Sequence, residues 1–490
     1  MERFGGVCTP TVAVRDPEIR DVELDSRSVV EGTLFAALPG TASDGARFVP
    51  QALERGAVAV LAPRELDGVG ASSLWVHPDA RRVAGEAAAV VHARDARPAL
   101  VGITGTNGKS TVAHMVRHLL RSAGYTPGLI GTIEVDLAGS EPRPTSLTTP
   151  DAPTLHRYLK EHVDRGGNAL VLEASSHALH QERLAGLQLD VAVYTNLGRD
   201  HLDYHSTQEA YADAKAAIFG CLGPEGASVV NANDAWSEFM VRRARNHGVR
   251  VVTFGIGSEA DLRADRCEAT PEGTRLFLEG MGIPLTGLFF PLVGRHNIEN
   301  ALAALAVVLL LGVSPTHALQ GLTSISSPPG RLERVDTGER GMHVFVDYAH
   351  TPDALEQVLG TLRDLLVAAG RGRLLVVFGC GGDRDRTKRP LMGAVAVQGA
   401  DLVFVTSDNP RSEEPEAIVA DVLGGMPADD FARGAVRVEL DRRQAIRSAL
   451  AAATPHDVIL IAGKGHETWQ SFKQGRVPFD DRQVVREELP

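Results

Sequence analysis

Ala99-Leu-Val-Gly-Ile-Thr-Gly-Thr-Asn-Gly-Lys-Ser-Thr-Val-Ala-His-Met-Val-Arg-His-Leu-Leu-Arg-Ser-Ala123 decides how this chain is read. Residues 99–104 form a near-continuous apolar run, the pattern of a strand buried on both faces. From Lys109 onward, Val112, Met115, Val116, Leu119 and Leu120 recur at i, i+3, i+4, i+7 and i+8. That spacing predicts a helix over 109–123 with one apolar face. Between strand and helix stand Gly105, Thr106, Asn107, Gly108, Lys109, Ser110 and Thr111. Glycines here let backbone N–H groups turn inward around phosphate oxygens, and the helix start adds partial positive charge. Lys109 is placed to reach the outer phosphates of a nucleotide, and the Ser110 hydroxyl to bind Mg²⁺. The common long form of this loop carries a glycine five positions before Gly108, where this chain has Ile103, so only the short GTNGKS form is present.

Working outward, further apolar runs at 169–172 and 191–194 alternate with helical segments, which argues for a mainly parallel sheet. The last third repeats the style. Runs at 344–347, Leu374–Phe378, Leu402–Val405 and 458–461 each end in a polar or glycine-rich loop. Ligands of open α/β sheets bind beyond such strand ends. The first third has short runs at 33–38, 58–61 and Leu74–Val76 separated by turns. Two breaks, at 94–98 and at Ser326-Ser-Pro-Pro-Gly330, divide the chain. We therefore expect an α/β protein of three domains: residues 1–97, a central phosphate-loop domain over 98–329, and a Rossmann-like domain over 330–490.

Composition excludes several classes. The 490 residues are 43% hydrophobic and 23% charged, ordinary for a globular chain. Fifty basic against 62 acidic residues give a net charge of −12, with no basic stripe for nucleic acid. The longest apolar run, residues 301–313, is shorter than the ~20 residues that span a bilayer. The N-terminus has no signal-peptide pattern, and the four cysteines form no CxxC pair. A cytoplasmic monomer without nucleic-acid or membrane partners is expected.

GTNGKS, Glu173-Ala-Ser-Ser-His177, Thr195-Asn-Leu-Gly-Arg-Asp-His201, Gly294-Arg-His-Asn-Ile-Glu-Asn300, Gly330-Arg-Leu-Glu-Arg334 and Asp347-Tyr-Ala-His350 follow one another in the order of the Mur ligases, and the chain resembles that family over nearly its whole length. The resemblance implies ATP-dependent amide formation in peptidoglycan synthesis. In that reaction a carboxylate is phosphorylated, and an amine attacks the acyl phosphate to give the amide, ADP and phosphate. Leu24-Asp-Ser-Arg27 and Asp408-Asn-Pro-Arg411 point within the family to members that add diaminopimelate to UDP-N-acetylmuramoyl-L-alanyl-D-glutamate.

The same resemblance distributes the site residues. Lys109, Lys215 and His201 are implied in catalysis. Ser110, Glu173, His201 and Lys215 (the last as N6-carboxylysine) are implied as Mg²⁺ ligands. Taken alone, Glu173 also reads as an exposed strand-end carboxylate, and Lys215 as a solvated lysine on an alanine-rich helix. Asn297 and Asn300 are implied on the adenine side of the nucleotide, with Asp347 placed for the ribose hydroxyls and Arg331 for the phosphates, while His296 reads as a structural turn residue. Leu24, Ser26, Thr41, Ala42 and Ser43 are implied around the uridine diphosphate. Thr148, Thr149, Ser175, Gln181 and Arg183 are implied around the muramoyl dipeptide, with Leu147 standing where such enzymes often have asparagine. Arg389, Asp408, Asn409, Pro410, Arg411, Gly463 and Glu467 are implied as the diaminopimelate cage. Arg411 offers a fork for the distal carboxylate and Glu467 a partner for the distal ammonium. The Asp408–Arg411 motif alone also reads as the start of a helix.

Three rivals remain at this level. They are a sister ligase taking L-lysine or L-ornithine, a folate-polyglutamate synthase with the same core, and a non-catalytic nucleotide-gated switch. The segment carrying Leu24–Arg27 argues against the folate enzyme, which has no need of it.

Overall fold

The computed structural model describes residues 17–40, 43–69, 73–93, 97–145, 147–270 and 272–489. Thr41 and Ala42 lie outside the described residues. The chain divides into two compact units. The first comprises Met1–Arg263, Glu279–Pro284 and Glu299–Gly321. The second comprises Ala264–Leu278, Leu285–Ile298 and Leu322–Pro490.

Two sheets build the first unit. Strands Asp21–Glu23, Thr33–Ala36, Ala57–Ala62 and Leu74–Val76 pair in that order, all parallel. Alternate residues of Thr33–Ala36 supply opposite cores, Leu34 and Ala36 one and Phe35 the other, so both faces are covered. In the larger sheet, Ala99–Thr104 is central, between Leu189–Tyr194 on one side and Ala169–Glu173 on the other. Pro127–Ile130 lies beyond Ala169–Glu173, while Leu222–Asn231 and then Arg250–Ile256 lie beyond Leu189–Tyr194. All these pairs are parallel, as the apolar runs predicted.

Helix Lys109–Ser122 follows the predicted span and buries Val112, Met115, Val116, Leu119 and Leu120. Full burial of each such side chain is worth about 1.5–3 kcal/mol, which anchors the helix at the carboxyl edge of Ala99–Thr104. Ile103 is fully buried inside that strand. The turn therefore begins only at Gly105, which explains why the short form of the loop suffices.

In the second unit the sheet order is Glu333–Val335, His343–Asp347, Val458–Ala462, Leu374–Phe378, Leu402–Val405, Val436–Val438, and only the first pair is antiparallel. Leu374, Val376 and Phe378 enter one core, and Leu375 and Val377 the other. Helices thus cover both faces, and function is left to the strand ends.

Candidate active site

Register sets the first cluster. Ile103 pairs with Glu173 and Thr104 with Tyr194, so the residues after three adjacent strands emerge together at one sheet edge. Gly108 caps the helix with φ +85°, a left-handed conformation suited to glycine, and a Cβ there would lie 2.5 Å from Asn300 Oδ1. The loop is closed from the neighbouring strand. Thr195 Oγ1 donates to the Asn107 carbonyl at 2.6 Å, and Asn107 N–H donates to Asn196 Oδ1 at 2.9 Å. Lys109 Nζ folds back onto the Gly105 and Thr106 carbonyls at 2.9 and 2.8 Å. No side chain caps the helix start, so its first N–H groups point into the turn, as an anion site requires.

Glu173 is 1% exposed, which rules out the exposed-carboxylate reading. Ser110 Oγ donates to its Oε2 at 2.9 Å. Thr132 adds two more bonds, from its N–H to Oε1 at 2.9 Å and from its hydroxyl to Oε2 at 3.1 Å. The carboxylate is thus oriented against the loop hydroxyl by a residue the sequence reading did not single out. This hard-oxygen pair fits Mg²⁺.

Lys215 is likewise 1% exposed and not a solvated lysine. Its Nζ stands 4.3 Å over the Tyr211 ring, whose hydroxyl hydrogen-bonds Thr106 Oγ1 at 3.2 Å. Burial pushes the Lys215 ammonium well below the usual lysine range; Lys109 pushes the same way, and Asp200 opposes them. A neutral amine is therefore favoured there. His201 lies edge-on to Tyr211, with ring centroids 6.1 Å apart, and its side chain is 45% exposed. Among the described residues no three His, Cys, Asp or Glu side chains gather to hold a metal.

Beside Glu173, Thr149 Oγ1 donates to the Glu173 carbonyl at 2.8 Å and accepts from Ser175 N–H at 3.1 Å. Arg183 Nη1 donates to the Thr149 carbonyl at 2.7 Å, and its Nη2 to Gln181 Oε1 at 2.8 Å. Thr148 and Thr132 share a hydroxyl contact of 3.0 Å. Thr148, Thr149, Ser175, Gln181 and Arg183 are therefore one hydrogen-bonded chain leading from the phosphate loop. Leu24 and the exposed Leu147 line a cavity with Gln181 and Arg183. Ser26 is buried and donates to Gln51 Oε1 at 2.6 Å, while Ser43 is exposed.

The second unit gathers its own cluster at the strand ends. Asp408 is buried, its Oδ2 has no hydrogen-bond partner, and burial pushes its carboxyl pKa up. The helix after this loop starts only at Pro415, so Asp408 does not cap it. Asn409 Nδ2 donates to Glu467 Oε2 at 2.8 Å. Lys464, fully buried, donates to the same Glu467 oxygen at 3.0 Å and to Asn409 Oδ1 at 3.2 Å. Arg411 has φ +55° and donates from Nη1 to the Gly382 carbonyl at 2.6 Å. Gly382 N–H in turn bonds the Asn409 carbonyl, with Pro410 buried between the two motif ends. Gly463, at φ +115°, comes so close that a Cβ would lie 2.6 Å from Asp408 Oδ2.

Arg389 differs from expectation. It is fully buried and engages Glu413 (2.7 Å) and Asp421 (2.9 Å) through its two terminal nitrogens, while its Nε has no hydrogen-bond partner among the described residues. Asp347 accepts from the Leu332 and Ala349 N–H groups at 2.6 and 2.8 Å, and Arg331 lies 5.0 Å over the Tyr348 ring. Asn297 and Asn300 lie one turn apart on helix Arg295–Leu310, Asn297 donating to the Val293 carbonyl at 2.9 Å. His296 is held neutral by burial, its pKa near 4, which agrees with a structural role.

Three family models cover this architecture: "Mur ligase family, catalytic domain" over residues 18–104, "Mur ligase middle domain" over 103–308 and "Mur ligase, glutamate ligase domain" over 330–465. The chain belongs to the Mur ligase family. A relative from Geobacillus thermodenitrificans, named UDP-N-acetylmuramoyl-L-alanyl-D-glutamate--2,6-diaminopimelate ligase, is 42% identical over 96% of this chain and 95% of its own. A solved structure of a ligase with the same name is 36% identical, with a TM-score of 0.73 over 96% of this chain and 94% of that one. A Mycobacterium tuberculosis folylpolyglutamate synthase shares the fold alone, at 22% identity and a TM-score of 0.62, over 78% of this chain and 92% of its own. Within this Mur ligase, Thr132, Asn196 and Lys464 are the site residues that reading the sequence missed. Asn196 lies within the Thr195–His201 motif and Lys464 beside Gly463, whereas nothing near Thr132 signalled its reach to Glu173.

Proposed function

We propose that the chain is an ATP-dependent ligase that joins diaminopimelate to the D-glutamyl carboxylate of UDP-N-acetylmuramoyl-L-alanyl-D-glutamate, as a monomer in the cytoplasm. We further assign residues 1–97 to the nucleotide-sugar, 98–329 to ATP and 330–490 to the amino acid. The family matches break near 104 and between 308 and 330, in support of this division.

The observation that carries the reading is the buried Glu173 carboxylate held against the Ser110 hydroxyl of the phosphate loop. A buried carboxylate held against a phosphate-loop hydroxyl supports a reading of phosphoryl chemistry there. Ser110, Glu173, His201 and carboxylated Lys215 would hold Mg²⁺, which supplies charge neutralisation for the transferring phosphoryl group. Lys215 suits the modification because its burial favours the neutral amine, the form that attacks CO₂, forming the N–C bond and releasing one proton. Gly105 to Thr111, with Lys109 and Arg331, would embrace the triphosphate, with Asn297, Asn300 and Asp347 toward the nucleoside. Leu24, Ser26 and Thr41 to Ser43 would receive the uridine diphosphate, and Thr148, Thr149, Ser175, Gln181 and Arg183 the dipeptide.

For the amino acid, Arg411 would pair the distal carboxylate and Glu467 with Asn409 the distal ammonium. Asp408, Pro410 and Gly463 would shape the pocket, and Arg389 would support it from behind. L-Lysine lacks the distal carboxylate and would leave the guanidinium without its counter-charge.

Amino-acid-dependent phosphate release tests this. With the UDP-dipeptide and ATP present, diaminopimelate is expected to stimulate turnover far more than L-lysine or L-ornithine, and Lys215→Ala to abolish it. Equal stimulation by L-lysine would overturn the specificity. Phosphate release that ignores every amino acid would overturn the ligase reading in favour of a switch.

A further inference from the structure

Two arginines without a carboxylate partner face one cavity in the first unit. The cavity is lined by Leu24, Arg81, Leu147, Asp151, Gln181 and Arg183 among others. Arg183 spends its donors on neutral oxygens, the Thr149 carbonyl and Gln181 Oε1. Arg81 likewise donates from Nη2 to the Pro39 carbonyl at 2.7 Å. Neither forms an ion pair among the described residues. Two carboxylates also belong to the lining: Glu182 is exposed and forms no ion pair with either arginine, and Asp151 is already committed, its two oxygens accepting from the Thr154 N–H at 3.0 Å and hydroxyl at 3.1 Å to cap helix Ala152–Asp164.

The spacing of the two guanidiniums is set by packing. Arg81 lies on helix Ala80–His92, one turn before Gly85. A Cβ on Gly85 would fall 2.6 Å from Ala185 Cβ and 3.0 Å from Ala152 Cβ, so this helix touches the backbone that carries Arg183. The junction is locked further along. Arg157 bonds Asp21 at 3.0 Å and Glu23 at 2.7 Å, and His92 bonds Asp21 at 2.9 Å. Burial lowers the Arg183 pKa, and the charge of Arg81 lowers it further, against Asp151 and Tyr204. Two like charges held at a half-buried wall, each bonded only to neutral acceptors, are stabilised by an anion between them.

We propose that Arg81 is a substrate-binding residue that, with Arg183, grips an anionic group of the nucleotide-sugar substrate, either its diphosphate or a peptide carboxylate. This rests on the nucleotide-sugar reading above and adds a residue to it. By its bond to the Pro39 carbonyl, Arg81 also braces the backbone at that residue.

Calorimetric titration of wild type, Arg81→Gln and Arg81→Lys with UDP, with the complete UDP-muramoyl dipeptide and with ATP tests the proposal. Losing one charge-assisted contact is expected to weaken the complete substrate about ten- to a hundred-fold in Arg81→Gln, with ATP affinity and thermal midpoint unchanged. Weakening of UDP as well assigns the diphosphate; weakening of the complete substrate alone assigns a carboxylate. The wild-type loss of affinity between low and high salt is expected to shrink in Arg81→Gln, a change that loop bracing alone would not produce. Unchanged affinity for both ligands, or weakening with the salt dependence intact, overturns the role of Arg81. Failure of the wild type itself to bind the complete substrate overturns instead the reading on which it rests.

Discussion

Arg442 and Asp481 make a fully buried ion pair in the second unit, and breaking it has a calculable consequence. Both side chains are 0% exposed, with contacts of 2.7 and 2.8 Å. The guanidinium also donates to the Ala462 carbonyl at 3.0 Å and reaches the Ser407 carbonyl at 3.4 Å, the residues just before Gly463 and Asp408. Asp481→Asn would leave a buried cation without its counter-charge, a loss of about 3–5 kcal/mol. At about 1.4 kcal/mol per decade, exchange of the amides in Val458–Ala462 should quicken by roughly two to four orders of magnitude. Hydrogen exchange read by mass spectrometry on peptides over 402–407 and 458–462 measures this directly. Replacing both partners, as Arg442→Met with Asp481→Leu, should restore most of the protection, because a buried pair is worth little over apolar residues of similar size. The orphaned Ser407 and Ala462 carbonyls would remain, so KM for the amino acid should stay raised while KM for ATP does not move. Exchange in Asp481→Asn within threefold of wild type would refute the reasoning.

Three further outcomes are expected. Gly108→Ala forces a left-handed alanine, costing about 1–2 kcal/mol, and drives its Cβ to 2.5 Å from Asn300 Oδ1; ATP affinity should fall at least about ten-fold with the circular dichroism spectrum unchanged. Gly463→Ala sets a Cβ 2.6 Å from Asp408 Oδ2 and should raise KM for the amino acid in steady-state assays without affecting ATP. The Glu413 carboxyl is held down to about 2, from 4.5, first by Arg389 and then by the Asp383 N–H. Its contribution to stability is therefore complete above about pH 4.5 and lost as pH falls toward 2. Urea midpoints across that window should fall less steeply in Glu413→Gln than in wild type.

Local periodicity made the phosphate loop legible, since strand, turn and helix occupy one continuous segment with both signals intact. Strand ends were legible for the same reason: Leu374–Phe378 and Leu402–Val405 form over their predicted spans. What connects those ends was not. Thr132 meets Glu173 across 41 residues and Arg442 meets Asp481 across 39, and a threonine or an arginine looks the same in sequence whether it is buried or solvated. Arg389 illustrates the converse. The resemblance placed it at the site, but its two carboxylate partners lie 24 and 32 residues on, and only the fold shows that they meet.

Lys109, Glu173, Arg411 and Glu467 already have internal partners, so ligand binding at them is an exchange of contacts. Arg411 gives a donor to a neutral carbonyl, that of Gly382. A ligand carboxylate replacing that carbonyl substitutes a charge-assisted bond for a neutral one, and such bonds are about twice as strong. Glu467 is paired with the buried Lys464 ammonium. A ligand ammonium arriving at Glu467 must share the carboxylate with an existing cation and therefore gains less. On the proposed reading, discrimination among amino acids rests chiefly on the distal carboxylate at Arg411. Glu467 and Lys464 together hold Asn409 in register, so weakening Glu467 should blunt affinity for every amino acid alike without changing the preference among them.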